Sequence, residues 1–363
     1  MRSGPNIAAL ATAVPEFRVT QKEAANYLLK HFPDELGRRG RLLLKRVFDH
    51  PSIETRHFAI EDAKSFFRED PDARIARFTE RALELSCRAL EAAMDGCGLS
   101  ARELKGLVLN TCTGYICPGL STYMIERLGL KRDIKAFDLV GAGCAGALPN
   151  IELAGMIVND NPGGAVACVS VEICSATFEM RGEMGGEAGD DPSLIVSNAL
   201  FSDGAAAAIL WDRPHGMEVV SSSMRFAPEL REAIRYVHRG GRLVNQLSMD
   251  LPRILREPVK ASVLDTLAGV SLGVEDIDHW AIHAGGEKII GAIMEAIGLP
   301  VGKTIAARKV LKEHGNMSSP TVWFVLDELL RQGFTAGEYC AMVSFGAGLS
   351  AHCALLLNRG MIF

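Results

Sequence analysis

Cys144 lies in the run Phe137-Asp-Leu-Val-Gly-Ala-Gly-Cys-Ala-Gly-Ala-Leu148, a glycine-rich turn between a short apolar strand and a helical stretch. Glycines at 141, 143 and 146 permit a sharp turn and let a ligand approach the backbone closely. A helix starting there aims free N–H groups and the positive end of its dipole at the sulfur, which favours a thiolate nucleophile. A buried small hydrophobe in a tight turn would use the same residues. Two later segments bear on the choice. Trp280-Ala-Ile-His-Ala-Gly-Gly286 sets His283 at the end of an apolar strand, and Leu311-Lys-Glu-His-Gly-Asn-Met-Ser-Ser-Pro320 sets Asn316 between a glycine and a helix start. Taken singly, His283 reads as a satisfied strand-end residue and Asn316 as a turn or cap residue. Together the three types meet the needs of acyl transfer: a thiolate to hold the acyl group, an imidazole as counter-charge, and N–H donors for an enolate oxygen. Removing one such oxyanion donor costs about 3 kcal/mol. Asparagine donates without adding a charge that would retain a departing carboxylate, so the set suits condensation driven by decarboxylation.

The elements that must bring these groups together alternate between helix and strand. Residues 7–14 read as a first strand, and Thr20 with Glu23 as a capping box that opens a helix. Residues 74–97 carry helical periodicity through Phe78, Leu83, Leu85, Leu90 and Met94. Strands follow at 107–111, 165–171 and 205–211, with a helix at 119–128; the unbroken apolar run 165–171 predicts a sheet covered on both faces. After Asp212-Arg-Pro-His-Gly216 the pattern restarts: a strand at 217–222, a helix from Val259, a strand at 280–283, helices from Glu287 and near Pro320, and a hairpin at 341–357. The expected architecture is therefore two similar α/β halves, 1–212 bearing Cys144 and 213–363 bearing His283 and Asn316. Residues 181–193 read as a polar loop whose Asp190-Asp191 pair is solvated rather than cation-binding.

The 363 residues suffice for two sizeable cores, and 48% apolar with 23% charged residues is ordinary for a globular protein. A net charge of −5 without a concentrated basic stripe argues against nucleic-acid binding. The one basic cluster, Arg38-Arg39-Gly40-Arg41 with Lys45-Arg46, is either a solvated helix face or an anchor for phosphates. No run of about 18 apolar residues is present, so no membrane span is expected. Nine scattered cysteines without a Cys-x-x-Cys pair argue against a zinc site or a disulfide framework and for a reducing cytoplasm.

Cys144 in Gly-x-Gly-Cys-x-Gly, His283 before Gly285-Gly286, and Gly315-Asn316-Met-Ser-Ser319 together resemble the type III polyketide synthases, the chalcone synthase-like family. The similarity runs from about Ile7 to Leu357, with Phe201-Ser-Asp-Gly-Ala-Ala206 and Ser344-Phe-Gly-Ala-Gly348 as further landmarks. The resemblance implies a thiolase-like five-layer αβαβα fold, a homodimer and a Cys-His-Asn triad. It implies no cofactor and no metal, but coenzyme A thioesters as substrates: an acyl-CoA starter held on Cys144 and malonyl-CoA as extender, followed by cyclisation. It also implies a cavity lined by Cys112, Thr113, Cys117, Cys174, Thr177, Met217, Asn245 and Ser318, and coenzyme A phosphates met by Lys45, Arg46 and Arg56.

Departures from the plant pattern narrow the expectation. Met217 and Asn245 align with the two gatekeeper phenylalanines, Ala284 replaces the proline of His-Pro-Gly-Gly, and Cys117 stands where a methionine enters the partner's cavity. These resemble bacterial members, which make resorcinols, pyrones or dihydroxyphenylacetate-type products. Three rivals are distinguishable. A ketoacyl-ACP synthase III-like enzyme usually carries an asparagine where Gly285-Gly286 stand here. A nucleotide-binding dehydrogenase would use Gly141-x-Gly143-x-x-Gly146 with Glu172 ending the next strand, but leaves His283 and the Asn316 loop unexplained. A catalytically dead scaffold is opposed by the complete triad.

Overall fold

A computed structural model describes residues 4–67, 69–180 and 191–360. In chain order the elements are β1 (Asn6–Ala13), β2 (Arg18–Thr20), α1 (Gln21–His31), α2 (Pro33–Phe48), β3 (Thr55–His57), α3 (Ala63–Phe66), α4 (Pro71–Gly96) and β4 (Leu104–Asn110). They continue with α5 (Leu120–Arg127), β5 (Lys135–Leu139), α6 (Ala147–Asp160), β6 (Ala165–Ile173), α7 (Pro192–Leu200), β7 (Asp203–Trp211), β8 (Met217–Phe226), β9 (Ile234–Arg239) and β10 (Arg242–Leu247). The last are α8 (Leu251–Ile254), α9 (Arg256–Ala268), β11 (His279–Ile282), α10 (Glu287–Ile297), α11 (Ile305–His314), α12 (Thr321–Gln332), β12 (Tyr339–Gly346) and β13 (Ser350–Asn358).

The periodicity of β6 explains the layering. Ala165, Ala167, Val169 and Val171 point to one face and join the core built on Phe78, Leu85 and Leu90 of α4. Val166 and Cys168 point to the other face and join Ile151, Ala154 and Val158 of α6. Alternate side chains go to opposite faces of a strand, so a run that is apolar at nearly every position must be covered on both sides. The same logic across the molecule stacks α4 and α5, a first sheet, α6 and α12, a second sheet, and α9 with α10. This is the five-layer αβαβα arrangement.

The two sheets are β1-β7-β6-β4-β5 and β8-β13-β12-β11, joined where β1 meets β8 at Ile7 and Met217. Their pairing senses correspond: β1–β7 and β6–β7 are antiparallel and β4–β6 parallel, just as β8–β13 and β12–β13 are antiparallel and β11–β12 parallel. In both halves the first strand and the last lie side by side. The catalytic candidates leave the ends of equivalent layers, so the fold brings remote segments to one place.

Local rules set the element ends. Thr20 and Glu23 form the expected capping box, the threonine hydroxyl accepting from Glu23 N–H and the glutamate from Thr20 N–H at 2.8 Å. The basic cluster lies on α2, where Arg38, Arg39 and Arg41 are exposed and the helix kinks at Gly37 with φ 56°. Several boundaries differ from expectation, the widest being β4, which starts at Leu104 rather than Leu107, β8, which runs on to Phe226, and α9, which starts at Arg256, one turn before Val259. The hairpin β9–β10 was not anticipated. Its turn, Gly240-Gly241, has φ of 53° and 76°, the geometry a two-residue hairpin turn requires. Of the polar loop, residues 181–190 with Asp190 lie outside the described residues, while Asp191 caps α7 by accepting from Ser193 N–H at 3.1 Å and Ser193 Oγ at 2.6 Å.

Inside β13, His352 is buried with no described protein group bonded to either ring nitrogen, and burial pushes its pKa down to about 4. The folded chain keeps this imidazole neutral while the unfolded chain protonates it near pH 6.5. Stability is therefore full above pH 6.5 and falls as pH drops towards 4, by about 1.4 kcal/mol per pH unit. Urea unfolding at stepped pH should show a shallower acid slope for His352→Phe than for the parent chain; equal slopes would remove His352 from the balance.

Candidate active site

Cys144 leaves β5 through Gly141 and Ala142 and sits in a single 3-10 turn, Gly143–Ala145, that runs into α6. Gly143 has φ 56°, and a Cβ there would press on Ala347 N at 3.2 Å. Gly346 at the end of β12 approaches closer still: a Cβ would lie 2.1 Å from Ala142 O and 2.6 Å from Ala145 N. The strand of the second half thus lies directly on the turn that bears the sulfur, and no other residue type fits at Gly346.

The same strand places the imidazole. His283 N–H donates to Val343 O at 2.8 Å, and the ring meets Phe345 edge-on with centroids 5.0 Å apart. His283 is fully buried, and no described protein group bonds to Nδ1 or Nε2. Gly285 is confined by Phe345 Cζ at 2.7 Å, so no side chain can stand there beside the imidazole.

Asn316 reaches the site from the loop after α11. Its N–H donates to Leu200 O and its carbonyl accepts from Ser202 N–H, both at 2.9 Å, which staples the loop to the start of β7. Its Oδ1 accepts from Ser318 N–H at 2.8 Å and from Thr321 Oγ1 at 3.4 Å. These bonds set the amide so that Nδ2 is the free end. Ser318 holds φ 59°, and its hydroxyl meets both the Cys144 sulfur and, at 3.5 Å, the Cys112 sulfur. Phe345 and Gly346 of β12 thus lie against His283 and the Cys144 turn respectively, and Ser318 links the Cys144 sulfur to the Asn316 amide.

Burial controls the charge state. It pushes the Cys144 thiol up to about 12, against the lowering effect of Ser318, and pushes His283 down to about 3. The expected lowering of the thiol by the helix terminus is outweighed by desolvation, which is a correction to the reading from sequence. Neither group ionises alone near neutral pH. Passing the thiol proton to the imidazole would create both charges together, and their attraction, with the α6 N-terminus, would offset part of the burial cost.

The floor of the site is a buried carboxylate that the sequence reading placed in a nucleotide fingerprint. Glu172 ends β6 with no exposure, so it cannot meet a ribose. It accepts from Cys112 N–H at 2.9 Å, Thr113 N–H at 3.1 Å, Thr113 Oγ1 at 2.9 Å and Ser319 Oγ at 2.7 Å, while Cys112 Sγ stands 3.2 Å away. Burial raises its pKa and these donors pull it back. A glutamate ending a nine-residue apolar strand was the signal that could have found it.

The other candidates separate. Cys112, Thr113 and Ser318 surround Glu172, and Cys174 shares an apolar cluster with Cys144, Phe178 and Phe201. Thr177 donates to Cys174 O at 2.8 Å from the same turn. Asn245 is buried on β10 opposite Tyr236 of β9. The sequence reading missed Tyr236, whose phenol lies close enough to Cys112, Cys174, Glu172 and Cys144 to feel their charge. Cys117 is exposed on the loop before α5. Met217 is a correction: it begins β8, pairs with Ile7 and Asn358, and belongs to the main core. The opposite end of β8, Phe226, is the one that pairs with Ser350 near the Cys144 turn. At about 3.3 Å per residue, ten residues of strand hold Met217 far from the sulfur.

Arg56 is a second correction. It is 1% exposed and donates to Gln21 Oε1, Asn198 O and Phe201 O at 2.6–2.8 Å. Phe48 and Phe58 face its guanidinium, and burial lowers its pKa to about 9. It braces the loops around the site and has no face for a phosphate. Lys45 and Arg46 are exposed at the end of α2, and Lys45 lines a cleft of about 640 Å³ with Lys22, His50, Glu54 and Lys312. A second cleft of about 340 Å³ is walled by Phe58, Phe66 and Phe178, which also belong to the Cys144 cluster.

A sulfur on a strand-to-helix turn, with an imidazole and a carboxamide from the second half of a five-layer fold, defines a condensing enzyme of the thiolase-like class. The profile of chalcone and stilbene synthases matches twice, its N-terminal domain over residues 2–214 and its C-terminal domain over residues 218–359. A 3,5-dihydroxyphenylacetyl-CoA synthase of Streptomyces toyocaensis is 30% identical across 97% of this chain and 90% of its own length. A Mycobacterium tuberculosis protein named as alpha-pyrone synthesis polyketide synthase-like is also 30% identical, covering 94% of this chain and 88% of itself. Among solved structures, PKS-I from the brown alga Ectocarpus siliculosus superposes with a TM-score of 0.89 at 26% identity, covering 99% of both chains. The chain belongs to the chalcone and stilbene synthase family: it is a type III polyketide synthase, an acyl-transferring enzyme.

If ionisation of Cys144 depends on His283, His283→Gln should shift its reactivity towards alkaline pH. Iodoacetamide labelling of Cys144, followed by peptide mass spectrometry, should proceed at pH 7 in the parent chain and drop by roughly 100-fold in the variant. Equal labelling rates would show that the thiol ionises without the imidazole.

Proposed function

We propose that this enzyme loads an acyl-CoA starter on Cys144 and extends it by repeated decarboxylative condensation with malonyl-CoA. The observation that carries this reading is a pair of polar groups left for a ligand: the fully buried imidazole of His283, to which no described protein group bonds, and the amide of Asn316, whose Oδ1 is taken by Ser318 and Thr321. Buried polar groups are almost always paired, so such a set is arranged for a substrate oxygen.

The steps follow from the residues. His283 takes the Cys144 proton, the thiolate attacks the starter carbonyl, and coenzyme A leaves as a thiol with that proton. Malonyl-CoA then loses CO2, and the electron pair of the broken C–C bond becomes an acetyl-CoA enolate. His283 Nε2–H and Asn316 Nδ2–H hold the enolate oxygen. Its carbon attacks the Cys144 thioester, forming the new C–C bond and releasing the thiolate. The β-ketoacyl-CoA returns its chain to Cys144 for the next round and finally cyclises. Cys112, Thr113, Cys174, Thr177, Asn245 and Ser318 bound the chamber in this reading, and no cofactor or metal takes part.

The names of the bacterial relatives, a dihydroxyphenylacetyl-CoA synthase and an alpha-pyrone type, support an aromatic resorcinol- or dihydroxyphenyl-type product or a pyrone. Lys45 and Arg46, exposed beside the 640 Å³ cleft, would meet the coenzyme A phosphates. Nine free cysteines support a cytoplasmic setting, and among the described residues no helix is long and apolar enough to cross a membrane. Halves 1–212 and 213–363 act as one catalytic unit in this reading.

Cys144→Ala should abolish condensation yet still release CO2 from malonyl-CoA, since the oxyanion donors remain. Polyketide formation by that variant would end the nucleophile assignment. Strict dependence on an acyl carrier protein in place of malonyl-CoA would instead favour the ketoacyl-ACP synthase III-like rival.

The homodimer has its own support. β5 pairs only with β4, leaving an open edge, and Phe137, Val140, Tyr115 and Met156 are exposed around it. A second copy across this edge would bury them and bring Cys117 to the partner. Light scattering should give a dimer mass, and Phe137→Asp should shift it towards the monomer; an unchanged mass would move the interface elsewhere.

A further inference from the structure

Asn110, the last residue of β4, is 3% exposed and lies outside the triad, yet its amide touches the supports of both Cys144 and Asn316. Its Nδ2 donates to Ser319 Oγ at 2.8 Å, three residues beyond Asn316. Its Oδ1 accepts from Asn150 Nδ2 at 2.9 Å and from Ser170 Oγ at 2.7 Å. Asn150 sits on the first turn of α6, its N–H bonded to Gly146 O at 3.2 Å. Gly146, two residues after Cys144, lies against Asn110 itself: a Cβ there would stand 2.6 Å from Asn110 Nδ2.

The direction of these bonds is dictated by chemistry. Ser319 has one proton, which goes to the Glu172 carboxylate at 2.7 Å, so towards Asn110 it can only accept. Ser170 accepts from Trp323 Nε1 at 3.1 Å and gives its proton to Asn110 Oδ1. Turning the Asn110 amide over would set its NH2 against the NH2 of Asn150. Only one orientation satisfies every partner, and the donors run in series from Asn150 through Asn110 and Ser319 to Glu172. Such a buried chain, in which Asn150 Oδ1 is the one side-chain oxygen without a partner among the described residues, resists deformation. His283 stands outside it, held through Val343 and Phe345.

We propose that Asn110 is a positioning residue that sets the Asn316 loop against the Cys144 turn, and so governs the decarboxylation step without touching substrate. The inference rests on the function proposed above, in which Asn316 serves decarboxylation and Cys144 serves loading. Loss of the Asn110 link leaves the Cys144 turn still packed under Gly346 and His283 still held by β12, but frees the Asn316 loop to shift.

The test compares the parent chain with Asn110→Ala, Ser319→Ala and the double variant in two assays: starter adduct on Cys144 by intact mass spectrometry with a panel of acyl-CoAs, and CO2 release from labelled malonyl-CoA. Each single variant should lose roughly 10- to 100-fold in kcat for CO2 release with little change in KM, while adduct formation stays within about threefold. The double variant should be no worse than the poorer single one, because both cut the same chain. CO2 release at the parent rate in both single variants, equal losses in loading and decarboxylation, or multiplying losses in the double variant would overturn the proposal. Should Asn110→Ala fail to fold, Ser319→Ala alone separates loading from decarboxylation in the same two assays. A parent chain that neither loads nor decarboxylates would instead overturn the proposed function, and this inference with it.

Discussion

The close approach of Gly346 to the turn around Cys144 is the constraint on which the site depends. With Ala142 O at 2.1 Å from any Cβ there, two backbones meet with no side chain between them. This contact joins the end of β12 in the second sheet to the N-terminus of α6 in the middle layer. Everything that β12 holds, including His283 through Val343 and the ring of Phe345, is registered against the sulfur as a result. A nucleophile and a base from segments 139 residues apart need such a rigid seam, because neither packs on the other by local sequence.

Around the seam the chain concentrates polar groups that apolar packing would normally exclude. Glu172 is an acid without exposure, yet every group bonded to it is a donor from the loop after β4 or the loop after Asn316. Arg56 is its counterpart on the other side of the loop, its guanidinium committed to Gln21 and to two backbone carbonyls. Satisfied groups of this kind cost little to keep buried and much to disturb. The proposed triad differs from them: no described protein group bonds the imidazole of His283, and the carboxamide of Asn316 is held through its oxygen.

Much of the architecture was legible because strand and helix periods were strong. The unbroken apolar run of β6, the amphipathic stripe of α4 and the Thr20–Glu23 cap each announced their element, and the triad stood out because three chemically apt residues each sat beside glycines at an element end. What was not legible depended on burial, which residue type alone does not report. Arg56 carries a charge yet lies inside, although it was assigned to a phosphate, and Glu172, weighed only in the dehydrogenase alternative, is buried as well. Met217 was aligned with a gatekeeper phenylalanine, whereas its position at the β1–β8 join puts it in the core. The hairpin β9–β10 escaped because Arg235, Arg239 and Arg242 break the apolar alternation, although Gly240-Gly241 marked its turn. Through that omission Tyr236, a phenol beside the reactive groups, went unseen.

In the proposed reaction the residues set the chemistry more tightly than the product, because chain length and ring closure would depend on the shape of the space around Cys144. The most direct test of the central claim is intact-protein and peptide mass spectrometry of the parent enzyme quenched during turnover with one acyl-CoA and isotopically labelled malonyl-CoA. The account predicts a starter adduct on Cys144 followed by a ladder of adducts on the same sulfur, each larger by one labelled ketide unit. Adducts confined to another residue, or product formed while Cys144 stays unmodified throughout, would contradict it.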